Sequence, residues 1–421
     1  MLKRDTWDWE TGRKAVADLT GIRGRFDAVH EFVASPDGEK IAAPVLKEAD
    51  VLGVCVNGEL WEGDFEKAWH LKYAPDGRLT ALVRVDDMWT VAVDGRPWEQ
   101  QFEFAWETKF NLDGSAVGVQ IKQDMQYGVA VNGVPWEQRF NSCRGFAISD
   151  DGKKVAAAVQ VEDLAEGDIF KFLEGTWSVA VNGQAWSQKF LNVYNPVISP
   201  DGEHVAAEAR LDQYEYTLAQ DGSPWEKKYG CVWDPLYRPR GGLLAPVRTK
   251  QGWTLAENGE PIWNGRYSQL WRQALAPDGK SVAAVVAVLP AKWTIAVDDR
   301  PWKVTFNDAV LPPVFSPDGK RVAAVARGDG QWRIVVDGKP WTESFEMIWD
   351  PVFSPDGATV LAKVERGGRY TLAADGRPWG RTFEALWEPT FSPDGKQVLV
   401  RGVEGGQYAR EVVPLSAIGQ G

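Results

Sequence analysis

The 421-residue sequence is poor in the residues that most chemistry needs. Its three cysteines, Cys55, Cys143 and Cys231, are widely separated. A C-x-x-C-H haem attachment and the clustered thiolates of an iron–sulfur centre are therefore both missing. Its three histidines, His30, His70 and His204, are scattered with no pair at ligand spacing, which argues against zinc. There is no G-x-S-x-G elbow and no glycine-rich phosphate loop. No metal, no cofactor and no catalytic residues are expected, and the chain reads as a non-enzyme. Long apolar runs are also lacking. The longest, residues 282–290, is far short of the roughly 20 residues a spanning helix needs, and the N-terminus "MLKRDTWDWETGRK" has no apolar run of a secretory leader. A net charge of −12 disfavours nucleic acid and anionic membrane surfaces as partners. A reduced, cytoplasmic protein without direct membrane insertion is the expectation.

What the chain has in abundance is turns and tryptophan. An "SPDG"-type turn begins at Ser35, Ala74, Asn111, Ser149, Ser199, Arg238 (a worn "RPRGG"), Ala276, Ser316, Ser354 and Ser392. Successive starts are 37 to 40 residues apart, with one gap of 50. A second turn, "DG" or "NG" in most units, recurs nine times and ends in tryptophan: Trp61, Trp98, Trp136, Trp186, Trp225, Trp263, Trp302, Trp341 and Trp379. An aromatic follows four residues later in each unit, and four further on a third aromatic position holds tryptophan six times. A fourth lies five residues before the second turn. Of the 22 tryptophans, 20 occupy three repeat positions; only Trp7 and Trp9 do not.

Between the two turns lie short segments such as "KRVAAVAR" and "WRIVV", rich in Val and Ile and bounded by turn residues, as strands are. "S-P-D-G-K" suits a type I turn with a bulge, and "V-D-G-R" a two-residue type I′ hairpin that needs φ > 0 twice. Each unit then reads as four antiparallel strands, with "EALWEP" as the crossover to the next. Proline opens the fourth strand in most units, which marks it as an edge. Such a sheet cannot bury both faces alone, so repeats of about 38 residues stack radially. The fold class is all-β: a β-propeller of about ten blade equivalents spanning residues 1–421. One closed ring is the first reading and two smaller propellers the second. Residues 15–26 supply a fourth strand, with Ile22 in place of the tryptophan, and residues 388–413 supply three. Together they complete a terminal blade.

The "SPDG…V-DG" unit resembles the WD40-like propeller repeats over nearly the whole chain. The added "DGxPWxxxFxxxW" element resembles the tryptophan-rich repeat of the D subunit of the Tmc transmembrane electron-transfer complex of sulfate-reducing bacteria. That resemblance implies a cofactor-free cytoplasmic scaffold subunit. It would be membrane-associated only through its partners: a cytochrome b, an iron–sulfur subunit and a multihaem cytochrome c. A soluble propeller that binds a small ligand or glycan in its central channel is the other function class.

Candidate contact residues are found where the repeat breaks, because loops vary without disturbing the blades that carry them. Residues 161–177, "VEDLAEGDIFKFLEGTW", exceed the usual loop by 12 residues. They carry Leu164, Ile169, Phe170, Phe172 and Leu173 among five acidic side chains, apolar anchors in a charged rim. Either these residues fold back on their own blade or they dock a partner. Trp7 and Trp9 stand outside the repeat and are further contact candidates. Arg238 and Arg240, in the worn sixth unit, would suit an acidic partner. The turn aspartates stand alone beside glycine and read as turn chemistry, not calcium ligands, and the repeated tryptophans read as blade packing.

Overall fold

The computed structural model describes residues 4–164 and 168–419. They form ten four-stranded antiparallel sheets, which we number as blades 1–10. Blades 1 to 9 span residues 28–60, 67–97, 104–135, 142–185, 192–224, 231–261, 269–301, 309–340 and 347–378; blade 10 joins 385–414 to 12–18. This is a β-propeller, the expected class. Of the described residues, 46–54 and 61–264 form one compact unit, and 4–45, 55–60 and 265–419 a second. Blades 2–6 belong to the first; blades 7–10 and most of blade 1 belong to the second.

In blades 1 to 9 the strands run in chain order, a to d; in blade 10 residues 12–18 supply strand d. Strand b is buried almost throughout, as in "VAAVA" of blade 8 and "VAAVVA" of blade 7, because it is covered on both faces. Strand a carries a bulge in its middle. In blades 2, 3, 4, 5 and 7 the bulge follows the third aromatic position, at His70, Glu107, Gly145, Asn195 and Arg272, all with positive φ. In blades 6, 8, 9 and 10 prolines at this point break the strand in two. "EALWEP" is thus not a crossover. Ala385 and Leu386 already pair with Val403 and Gly402. The crossover is a single step, since the Phe383 N–H donates to Tyr370 of blade 9 and the next N–H, Glu384, to Val403 of blade 10.

The two turns are tied to each other. The Asp or Asn of each hairpin has φ of 46–52°, and glycine follows it at positive φ in eight of nine, the type I′ pattern. Its side-chain oxygen accepts from the first N–H of strand b at 2.8–2.9 Å, from Asn57 on Ile41 to Asp375 on Val360. In the SPDG turns, serine donates to the aspartate, which also accepts the N–H two residues on, as at Ser316, Asp318 and Lys320. These bonds hold the Asp151 and Asp318 carboxyls below the usual range, at about 2. The hairpin tryptophan lies under the hairpin glycine of the following blade. A Cβ on Gly376 would come within 3.3 Å of Trp341, and one on Gly133 within 3.4 Å of Trp98. Positive φ favours glycine there, and the close approach of the tryptophan leaves little room for a β-carbon.

Blade 10 unites the chain ends in one sheet, with Ala15 opposite Ala409. The fourth strand is shorter and earlier than residues 15–26, covering Gly12–Asp18. Leu19–Arg25 is a helix because Asp18 caps it, accepting from the N–H groups of Thr20 and Gly21 at 3.1 Å. Ile22, the stand-in for tryptophan, is buried on that helix.

Candidate interaction surface

The insert of blade 4 is built on a stapled base. Val161 donates to Thr176, and the N–H groups of Thr176 and Trp177 converge on the Phe190 carbonyl. Glu162 holds Lys189 at 2.5 Å and Lys171 at 3.5 Å, which draws its carboxyl below the ordinary range. The helix Ile169–Glu174 starts at Asp168, whose side chain accepts from the Lys171 N–H at 3.0 Å, and stops at Gly175 with φ 96°. A Cβ at Gly175 would meet the Phe190 backbone at 2.9 Å, so the chain can turn back only with glycine here. Residues 165–167 lie outside the described residues.

The rigid base does not bury the apolar side chains it carries. Phe170 is 82% exposed and Ile169 66%; Leu173 and Leu164 are exposed as well, and Phe172 is half-buried. Of the two readings of the insert, folding back on its own blade fails for the four exposed residues. The structure brings these five side chains together on one loop. Trp7 and Trp9 belong to the second unit. They stack on each other with centroids 6.0 Å apart, half-buried, with Trp9 Nε1 donating to the Arg4 carbonyl at 2.9 Å. Arg410 donates to the Asp8 carbonyl between them. Arg238 forks onto Glu257 at 2.8 and 3.3 Å inside its own blade, so its guanidinium is already engaged. Arg240 is exposed.

Exposed apolar residues that sequence reasoning passed over lie at the same end of the neighbouring blades. In blades 2 and 3 Trp69 and Phe104 are 44% and 41% exposed, and Met125 and Tyr214 stand out on the b–c turns of blades 3 and 5. Trp69, Trp89, Phe104, Trp106 and Tyr127 form a chain of ring contacts at 5.6–6.1 Å. Glu103, Phe104, Trp106, Lys122 and Tyr127 line a shallow cleft of about 530 Å³. A signal was present: Phe104 stands where blade 2 has Lys67. Also unforeseen is the acidic residue after the second aromatic, which fastens the b–c turn. Glu66 accepts from Asp87 N at 2.9 Å, Glu103 from Asp124 N at 3.1 Å and Glu384 from Gly405 N at 2.8 Å.

Burial pushes the Cys143 thiol up to about 12 and raises Cys55 and Cys231. Burial also pushes the Glu208 carboxyl of blade 5 up to about 7, only partly offset by donors from Asn195 Nδ2 and the Asp234 N–H, both at 2.7 Å. Among the described residues, no three His, Cys, Asp or Glu side chains gather as metal ligands. Among them, too, no helix is long and apolar enough to cross a membrane.

No protein-family model matches the chain, and no curated protein matches it. Among solved structures it is similar to a eukaryotic initiation factor, at 15% identity and a TM-score of 0.48, covering 90% of this chain and 98% of that one. It is also similar to the Dos1 propeller, at 13% identity and a TM-score of 0.39, covering 96% and 94%. Neither likeness bears on what this chain does.

Proposed function

We propose that this propeller is a non-catalytic scaffold subunit that docks on larger protein partners through the insert of blade 4. The observation that carries the reading is the 82% exposure of Phe170, on a helix whose base is capped, stapled and ion-paired. Leaving a large aromatic in water on a well-defined support gains nothing for a free chain. Seated in a partner's pocket, it becomes an anchor of the kind that dominates interfaces. The tryptophan-rich element further supports placing the protein on the cytoplasmic side of a membrane-bound respiratory electron-transfer complex. Its neighbours there would be a cytochrome b, an iron–sulfur subunit and a multihaem cytochrome c. It would carry no cofactor of its own.

The test is recovery of partners from native membranes by the tagged chain, compared with a variant in which residues 162–174 are replaced by a short Gly-Asp loop. Co-purification of haem-containing subunits by the parent and not by the variant is the expected result. Equal recovery by a folded variant would remove the insert from the interface, and recovery without haem proteins would remove the respiratory setting.

A further inference from the structure

Asparagine stands before glycine in four of the nine hairpins, at Asn57, Asn132, Asn182 and Asn258. In each the side-chain oxygen accepts from the first N–H of strand b at 2.8–2.9 Å. The side-chain nitrogen separates them. Asn57 Nδ2 donates to Glu39 O at 2.9 Å, Asn132 Nδ2 to Ser115 O at 3.2 Å and Asn182 Nδ2 to Lys153 O at 3.1 Å. Among the described residues, none accepts from Asn258 Nδ2, and Asn258 is exposed. The cause lies in the worn turn of blade 6. It closes from Arg238 N to Gly242 O, whereas blade 1 closes from Ser35 N to Lys40 O. The turn is one residue shorter, and its carbonyls do not meet the amide.

An asparagine followed by glycine can close on itself, because glycine puts no side chain in the way of its own nitrogen. The Gly259 nitrogen forms a bond to Asn258 Cγ and gives up its proton. The Cγ–Nδ2 bond breaks, and ammonia leaves with that proton. Water then opens the five-membered imide at either carbonyl, giving aspartate or isoaspartate. The Leu243 N–H already points at Oδ1, where negative charge gathers as the ring closes. That donor is common to all four sites. What differs is the leaving nitrogen, tied to a carbonyl at three of them and free to turn at Asn258. The acids on either side are engaged elsewhere, Glu257 with Arg238 and Glu260 with Lys227, both at 2.8 Å.

We propose that Asn258 is a site of spontaneous covalent modification, at which the folded chain converts asparagine to aspartate or isoaspartate ahead of Asn57, Asn132 and Asn182. The inference is independent of the docking reading. The two products differ in consequence. Aspartate is what Asp94, Asp221, Asp298, Asp337 and Asp375 already are in other blades, where each accepts the same strand-b N–H. Isoaspartate adds a carbon to the main chain of a two-residue hairpin. It shifts Gly259, which lies so close to Trp225 that a Cβ would come within 3.4 Å. The aspartate product keeps the seam between blades 5 and 6, and the isoaspartate product loosens it.

The test follows all four sites in one molecule. The full chain is held in mildly alkaline buffer, sampled over time and mapped by peptide mass spectrometry, with isoaspartate labelled by an isoaspartyl methyltransferase. In the native chain Asn258 should convert about fivefold faster than any of the other three, the worth of one hydrogen bond that they must break first. In concentrated urea the hairpins are gone and the four rates should converge. Asn258→Gln, whose longer side chain closes a six-membered ring far more slowly, should remove most of the methyl label from the native chain. Asn258→Asp should melt with the unaged parent. Native conversion at Asn258 no faster than at Asn57, Asn132 and Asn182 would overturn the proposal. So would the same excess at Asn258 in urea, which would place the cause in local sequence and not in the hairpin, or full labelling of a folded Asn258→Gln chain. Should that variant fail to fold, the parent's four rates decide the matter alone.

Discussion

The two ends of a blade are built on opposite terms. At the SPDG and hairpin end, the turn serines and aspartates bond within the chain and the hairpin tryptophans are largely covered. Asp337 accepts from Val322 N at 2.8 Å, Ser316 from Arg321 N at 3.0 Å, and Trp341 lies beneath Gly376. At the b–c end of blades 2–5 acidic side chains fasten the turns as well, Glu66 to Asp87 N and Glu103 to Asp124 N, yet Trp69, Phe104, Met125, Phe170 and Tyr214 face solvent. The difference separates residues that repeat because the fold needs them from residues that depart from the repeat. The largest expected effect that sharpens this contrast is Trp341→Ala. Trp341 is 9% exposed inside the blade 8–9 core, and its loss should cost about 3–5 kcal/mol in denaturant unfolding. A loss below about 1 kcal/mol would mean that the repeated tryptophans are not packing residues.

Glu208 is the exception at mid-blade, a buried carboxyl that ties Asn195 of blade 5 to the left-handed Asp234 of blade 6. Its ordinary value is 4.5 and its folded value about 7. The folded chain therefore binds more protons than the unfolded chain across that window. Stability falls as pH rises through it and is level above about 7, a difference of about 3 kcal/mol in order of magnitude. Glu208→Gln keeps an oxygen for both donors and does not titrate. It should match the parent near pH 4.5, exceed it at pH 8 by about 2–3 kcal/mol and show a flatter profile between. The Asp234 carboxyl and the Cys231 thiol also face this group. If the pH slope survives in Glu208→Gln, Glu208 is not the titrating site.

A smaller effect tests the tie between the two turns. Asp337→Ala removes the acceptor for the Val322 N–H and leaves a β-carbon residue at φ 51°. A loss of about 1–2 kcal/mol is expected. Asp337→Asn should stay within about 0.5 kcal/mol, since Asn57, Asn132, Asn182 and Asn258 hold the same place in other blades. An alanine variant as stable as the parent would show that the hairpin stands without this bond.

Most of the fold was legible because it is written in residues with narrow backbone preferences. Proline, aspartate, asparagine and glycine at fixed spacing specify turns, and the turns bound the strands. What was not legible depends on contacts between units of sequence. The crossover is misplaced by reading alone, because "EAL" is equally at home in a loop or in a strand; the pairing of Ala385 and Leu386 with Val403 and Gly402 shows that it is strand. The helix at Leu19–Arg25 was hidden because a seven-residue helix is too short for periodicity to reveal. On the candidate surface, the insert announced itself by length. The row of Trp69, Phe104 and Trp106 did not, because exposure depends on how neighbouring blades pack, which repeat spacing does not show.

The smallest expected effect on stability is the one that defines the insert. Ile169→Ser with Phe170→Ser and Leu173→Ser removes apolar surface that is already largely in water, so the folded state loses little burial. The helix keeps its Asp168 cap, its Gly175 stop and the Glu162 pairs, none of which the substitutions touch. The melting transition should therefore stay within about 0.5 kcal/mol of the parent, far from the loss at Trp341. Recovery of membrane partners should nevertheless fall sharply, because truncating central anchors commonly costs about 2 kcal/mol or more of binding each. A stable triple variant that still recovers its partners would break the contrast between the two ends of the blade. A variant that unfolds would place these side chains with the packing residues, despite their exposure.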